Sequence, residues 1–438
     1  MKYSDGPLFE QQSGPCALSF YLHALFLSLP LIATLKGKGI VVLVALLTLV
    51  YGPSFWGYRH QVGLAVAHSL RTLLGKTIFL LTAWILFSVL WADNLARAAL
   101  NAGRYSLLIS IGVLLFFTIS QESVARRALL LKAFYKGIIF YIFFLFAEIY
   151  IFPSASRMYT GSINYNKELF IRGIVILGFL FWPFVLATSK KFSHISFEKI
   201  FIFLWGGLIM ILVRARPDAA LVGGLFGGMG VLLAYYSSRI LRGFFVLFSL
   251  LALSAPFLFR YILTVQNLGC FFNYLPTSYQ HRLLIWNGMS EKILAHPLIG
   301  YGFDSSTAVT GGAIACLTHT SLAINWNTKE ITQNLGSFHG CDPIFSSHPH
   351  NGIIQLWFEC GVIGILLGLG MLFAIIQCIQ SVKESSERAC LFGSLVFYSV
   401  IHLVAFGLWQ TWVAATLIIM SLGFLAAKNY APLLYKHV

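Results

Sequence analysis

The chain has 438 residues, of which 58% are hydrophobic, 16% aromatic and only 10% charged. That balance excludes a soluble core of this length and indicates a polytopic membrane protein. The formal charge of +15 does not point to nucleic acid, because the basic residues mostly occupy short loops between apolar runs, where they set orientation.

A bilayer core takes about 20 apolar residues per helix. Runs of that kind predict about twelve transmembrane helices, at 16–34, 39–56, 77–93, 104–120, 136–153, 168–188, 198–214, 218–236, 243–263, 351–379, 390–408 and 410–427. With the N-terminus inside, the inner loops collect Arg59, Arg71 and Lys76, then Arg126, Arg127, Lys132 and Lys136, then Lys190, Lys191 and Lys199. Arg239 and Arg242, Lys383 and Arg388, and Lys428 and Lys436 in the tail continue the series, which is the positive-inside pattern. Both termini are therefore expected in the cytoplasm. The polar segment Met1 to Gly14 is no signal peptide, and the first apolar run serves as a signal anchor.

The expected fold class is an all-α polytopic membrane protein with three parts. Residues 1–263 carry transmembrane helices 1–9, residues 264–350 form one large periplasmic loop, and residues 351–438 carry helices 10–12 and a cytoplasmic tail. In the loop, His281 to Leu294 predicts an amphipathic helix. Trp286, Met289 and Ile293 recur at helical spacing, so it is expected to lie on the membrane face. His296-Pro297-Leu298-Ile299-Gly300-Tyr301-Gly302 then breaks it with turn residues, and 305–340 reads as irregular. Cys316 with Cys341 is the disulfide expected there, with Cys270 the third loop cysteine. No CxxC or His/Cys ligand pattern appears, so no metal is expected.

The segment that could carry chemistry is His348-Pro349-His350-Asn351, where the polar loop runs into the apolar helix that follows. An imidazole there can carry a proton at neutral pH, and a transmembrane helix that opens on His and Asn needs partners for them. The bland alternative is a satisfied boundary histidine or a cap shared with Asn351. Gly361 and Gly364 follow on the same helix and read as a small-residue groove for close helix approach or for a lipid chain. Arg214 and Arg216 flank the turn Val213-Arg214-Ala215-Arg216-Pro217-Asp218, and Arg282 opens the loop helix. Guanidiniums beside a helix N-terminus can cradle a phosphate or pyrophosphate, since the planar fork grips oxyanions bidentately. Alone, each would read as a snorkelling arginine or a partner of Asp218 or Asp304. The acidic residues show no DxD spacing, and Walker, GxSxG and HExxH motifs are missing. Metal-held glycosyl transfer, ATP-driven transport, serine hydrolysis and zinc proteolysis therefore lack support.

His350-Asn351, nine residues, Gly361, two residues and Gly364 resemble the H-[NSQ]-x9-G-x-x-[GTY] signature of the O-antigen ligase superfamily, which includes O-antigen polymerases. Arg282 to Gly302 is similar to a second stretch of that family, an arginine ahead of a Trp-bearing helix and an HPLxGxG turn. Arg216 in Ala215-Arg216-Pro217-Asp218-Ala219-Ala220-Leu221 resembles its SRxxxLA helix start; alanine replaces the serine, and Arg214 leaves the register open. Gly161-Ser162-Ile163-Asn164-Tyr165-Asn166 is faintly similar to a further outer motif. The resemblance spans roughly residues 155–430.

The resemblance implies a GT-C-like fold and an inverting, metal-independent glycosyl transfer without a cofactor. Its donor would be a glycan on undecaprenyl pyrophosphate and its acceptor lipid A–core or another glycan, at the periplasmic face of a bacterial inner membrane. Arg216 or Arg214, with Arg282, would hold the pyrophosphate. His350 would be the general base, supported by Asn351, His348, Gly361 and Gly364. A polymerase using a lipid-linked acceptor shares every one of these residues. A lipid-glycan transporter would instead want charged or broken helices near the bilayer midplane.

Overall fold

The computed structural model describes residues 15–35, 39–154, 157–158, 167–309, 314–318, 321–325, 341–343 and 349–428. The helices, in chain order, are α1 (Pro15–Leu27), α2 (Leu29–Leu35), α3 (Gly39–Ser69), α4 (Leu73–Ser88), α5 (Leu95–Gln121) and α6 (Val124–Phe146). Then come α7 (Lys167–Lys191), α8 (Phe197–Ala215), α9 (Asp218–Tyr236) and α10 (Arg239–Phe257). The short α11 (Val265–Leu268) and α12 (Cys270–Tyr274) lead into α13 (Thr277–Ala295) and α14 (Ser306–Val309). The chain closes with α15 (Gly352–Gln380), α16 (Ser385–Val404) and α17 (Thr411–Lys428).

Among the described residues, ten helices are long and apolar enough to cross a membrane, as the sequence predicts for a multi-pass protein. The other two predicted segments are present as helix but differ in kind. The first is the shorter apolar stretch Ala17–Ala33. The second is α8, whose 19 residues include Glu198, Lys199 and Arg214. The helix α7 runs through the middle: 89% of its most apolar 18-residue window is buried, against 61% or less for the other spans. Trp182, Phe179 and Phe181 fill that centre. The glycine-rich α9 packs on α16 and α8 because it lacks side chains. A Cβ at Gly227 would stand 2.7 Å from the Trp182 ring, and one at Gly228 2.2 Å from Trp205. That cluster is therefore structural.

The loop departs from expectation in two ways. The apolar face of α13 lies inside the protein and not on the membrane. Ile285, Trp286, Met289 and Ile293 are buried in one cluster with Phe259 of the wide turn after α10 and with Ile354, Trp357 and Phe358 of α15. The same periodicity serves either surface; protein wins here because α10 and α15 present an apolar groove of their own. Second, the stretch read as irregular contains a small antiparallel sheet of β1 (Ile314–Thr318), β2 (Ser321–Asn325) and β3 (Cys341–Pro343) in the order β2-β1-β3. Its backbone register sets Cys316 opposite Cys341. The side chains of that expected disulfide lie outside the described residues, and Cys270 is a free thiol.

Candidate active site

The site begins with the entry into α15. Asn351 takes an extended backbone, and its side-chain oxygen accepts from the main-chain N–H groups of Ile353 and Ile354, each at 3.0 Å. It is thus the helix cap that its position suggested, satisfying two donors a helix start otherwise leaves open. One residue earlier the backbone of His350 is left-handed, with φ 54°. Among the described residues only Arg216, Asp304 and His350 adopt positive φ without being glycine. Such conformations cost free energy and persist where surrounding contacts impose them.

Those contacts come from two sides. The indole of Trp286 on α13 donates to the carbonyl of Pro349 at 2.7 Å, fixing the chain just before the histidine. On the other side, Nδ1 of His350 lies 2.7 Å from the carbonyl oxygen of Ala405, which ends α16. A carbonyl only accepts, so Nδ1 carries the hydrogen and Nε2 keeps the lone pair when the ring is neutral. Burial is the largest effect on the ring and favours that neutral form. The Ala405 carbonyl works against it, and the nearby charges of Arg282 and His281 reinforce it, with the net result that the pKa falls below the ordinary histidine value.

Arg282 therefore stands close enough to His350 for their charges to interact. Its guanidinium lies 5.4 Å from the ring centre of Tyr279, one turn earlier on α13. Burial lowers its pKa, while Tyr279 and Asp218 favour the charged form. Asp218 is the first residue of α9, two positions after Arg216. Arg216 itself closes α8 as a left-handed cap, its N–H bonded to the Leu212 carbonyl. Arg214 and Arg216 both line a cavity of about 520 Å³ with Tyr150, Ile209, Met210 and Val213. Tyr150 lies in the wide turn that ends α6 and donates to the Met210 carbonyl at 2.9 Å.

The four predicted groups thus fall into two neighbouring sets. His350 and Arg282 form one and the Arg214–Arg216 cavity the other, and the charge of Asp218, two positions after Arg216, is felt by Arg282. His350 and Arg282 are not among the residues lining that cavity. Asp304, which could have neutralised a site arginine, is instead taken by Arg97 at 3.0 Å and by Asn101 at 2.9 Å. His348 and the Gly161–Asn166 segment lie outside the described residues.

The first glycine of the signature allows a close approach, of a loop and not of a helix. Gly361 breaks α15, with φ 63° and ψ −165°. The freed main-chain groups are taken up by the turn at 297–302. Tyr301 N donates to Phe358 O at 2.8 Å, and Gly302 N to Glu359 O at 2.9 Å. Val362 N donates to Pro297 O at 2.8 Å. A Cβ at Gly361 would stand 2.3 Å from the Leu298 carbonyl oxygen, and one at Gly300 would stand 2.6 Å from the Phe358 oxygen. Two backbones meet there without side chains between them. Gly364 leaves room for the displaced Cys360, whose Cβ would be 2.3 Å away.

Sequence reasoning also passed over a polar group inside α15. Glu359 is fully buried and accepts from Ser306 Oγ at 2.5 Å, Gln355 Nε2 at 3.0 Å and Trp409 Nε1 at 2.5 Å. A carboxylate in the middle of an apolar run was the available signal, since such groups in membrane helices seldom lack a role.

The family comparison falls on the part of the chain that holds these residues. Residues 200–369, which hold Arg214, Arg216, Arg282, His350 and Gly361, match the family described as O-Antigen ligase. A protein of Rickettsia felis bearing the name "Putative polysaccharide ligase" is 27% identical over 343 residues, covering 77% of this chain and 76% of its own. Similarly named proteins of Rickettsia prowazekii and Rickettsia conorii are each 25% identical, over 342 and 340 residues. They cover 77% and 76% of this chain and 76% and 74% of their own lengths. With the histidine signature, the arginine-led loop helix and the docked HPLxGxG turn in order, this stretch of the chain is similar to the O-antigen ligase family.

Proposed function

We propose that the protein is a membrane glycosyltransferase that moves a glycan from undecaprenyl pyrophosphate to a sugar hydroxyl of lipid A–core, at the periplasmic face of a bacterial inner membrane. The reading takes residues 264–350 as a periplasmic loop and both termini as cytoplasmic. The observation that carries it is the hydrogen bond from His350 Nδ1 to Ala405, which leaves Nε2 as the basic nitrogen beside the cation of Arg282. The family match and the names of the relatives support the same class of reaction.

In this reading, Nε2 of His350 removes the proton from the acceptor hydroxyl as its oxygen attacks the anomeric carbon. The bond from that carbon to the pyrophosphate oxygen breaks, and its electron pair leaves with the lipid pyrophosphate. Attack from the face opposite the leaving group inverts the anomeric centre. Arg282, with Arg216 or Arg214, meets the charge that develops on the departing phosphate, and in a partly desolvated site such contacts are strong. The imidazolium then releases its proton to outer water. Asn351 holds the helix start that presents the base, and Gly361 and Gly364 allow the break that docks the loop.

The test is transfer by the purified protein in detergent, where no sidedness exists, from a lipid-linked glycan to a core acceptor. Transfer by the wild type and its loss in His350→Ala support the reading; His350→Ala with near-normal rates refutes it. The lipopolysaccharide of a deletion strain separates the acceptors. Core without polymer, with long lipid-linked chains accumulating, marks the ligase, and core capped by one repeat marks a polymerase.

A further inference from the structure

The segment that joins α16 to α17 carries the carbonyl that His350 uses, and it is held from below by α15. Leu408 rests on Gly352, where a Cβ would stand 2.8 Å from the leucine methyl. Leu408 N donates to Gln355 Oε1 at 2.9 Å, and Trp409 Nε1 donates to Glu359 Oε2 at 2.5 Å. The amide of Gln355 has only one consistent orientation. Its oxygen must face the Leu408 N–H, so its nitrogen faces Glu359 Oε1, at 3.0 Å. All three side chains around Glu359 donate, which suits an acceptor with two oxygens and leaves no edge unanswered.

For packing alone this arrangement is expensive, because an apolar side chain of similar size would fill the same space at lower cost. What the polar pair does that an apolar pair cannot is fix the height and tilt of residues 405–409 on the first two turns of α15. We infer that Gln355 and Glu359 are positioning residues: through Leu408 and Trp409 they hold the Ala405 carbonyl against Nδ1 of His350 and so keep the lone pair on Nε2. This rests on His350 as the proposed base. Among the described residues, the charged groups that act on that ring are His281 and Arg282 on α13, with Asp218 at the start of α9 acting through Arg282.

The experiment is the pH dependence of kcat for Gln355→Met, Glu359→Gln and Trp409→Phe in the detergent transfer assay. Trp409→Phe is the mildest, since it removes one N–H and keeps a ring between Tyr105 and Phe303. Withdrawing the Ala405 carbonyl removes a contact that favours the charged ring, so the acid limb should move to lower pH. At the plateau kcat should fall about tenfold, because the wrong tautomer competes, while the KM for the lipid-linked donor stays within about threefold. An acid limb that stays in place, or moves to higher pH, overturns the inference. So does a loss of kcat that only tracks the folded fraction. His350→Ala run alongside separates the two readings. Activity in that variant sinks the base itself, whereas an inactive His350→Ala with unaltered profiles in the other three sinks only the positioning role.

Discussion

Nδ1 of His350 and the main-chain oxygen of Ala405 are 55 residues apart in the chain and 2.7 Å apart in space. The contact decides which nitrogen of the ring can act as a base. With Arg282 and His281 nearby, burial keeps the ring uncharged to lower pH than a solvated histidine. Transfer should therefore rise with pH along an acid limb whose midpoint lies below the ordinary 6.5. The cation of Arg282 depresses that midpoint, so Arg282→Gln should move it to higher pH while weakening donor use. A kcat profile of both proteins checks the sign; a limb that stays put in Arg282→Gln would show that the two groups do not sense one another.

At Arg216 the backbone and the side chain can be tested separately. Its φ of 57° is a conformation glycine adopts freely and other residues pay about 1 kcal/mol or more to hold. Arg216→Gly should leave thermal stability in detergent unchanged or slightly higher. The KM for the lipid-linked donor should rise about tenfold or more, because a charge-assisted contact in the cavity is lost. Equal donor use by Arg216→Gly and the wild type would pass the anion role to Arg214.

Gly361→Ala should be among the most damaging single changes in the chain. The φ, ψ pair of 63°, −165° is essentially reserved for glycine, and the new methyl would meet the Leu298 backbone at 2.3 Å. Strain alone costs about 1–3 kcal/mol, and the clash with main chain adds to it. The midpoint of thermal unfolding, followed by tryptophan fluorescence, should drop clearly, and Gly364→Ala should show a smaller loss.

Asn351 is a cap, so its replacements should follow capping rules. Asn351→Ala should cost about 1 kcal/mol of stability, and Asn351→Ser should cost little, because a hydroxyl also accepts from the first turn. Both can be read from unfolding midpoints. Activity that falls with Ser as far as with Ala would assign the amide a contact beyond the cap.

The membrane class and most of the helices were legible because apolar run length is a one-dimensional signal. Asn351 as a cap and Arg216 as the residue between α8 and α9 were also readable, since both effects act within a few positions. The burial of the α13 face was not. Trp286, Met289 and Ile293 have the same spacing whether they meet lipid or protein, and only the groove of α10 and α15 decides. Gly361 was legible as a motif position but not as a helix break, because the chain that fills the break lies about 60 residues earlier. The grip of Glu359 on Ser306 and Trp409 was hidden for the same reason: both partners are some 50 residues away.

The notch at Gly361 divides α15 into a lower shaft and an upper stub of residues 352–360. That stub is bonded main chain to main chain to residues 301–302, which follow α13. Trp286 of α13 is tied to Pro349 at the stub's tip as well. The imidazole of residue 350 and the guanidinium of residue 282 consequently travel as passengers on one body. The stub is also bonded to Ala252 of α10 and to residues 405–409 between α16 and α17, so that body is anchored to the membrane helices and the spacing of the two groups is fixed from both sides.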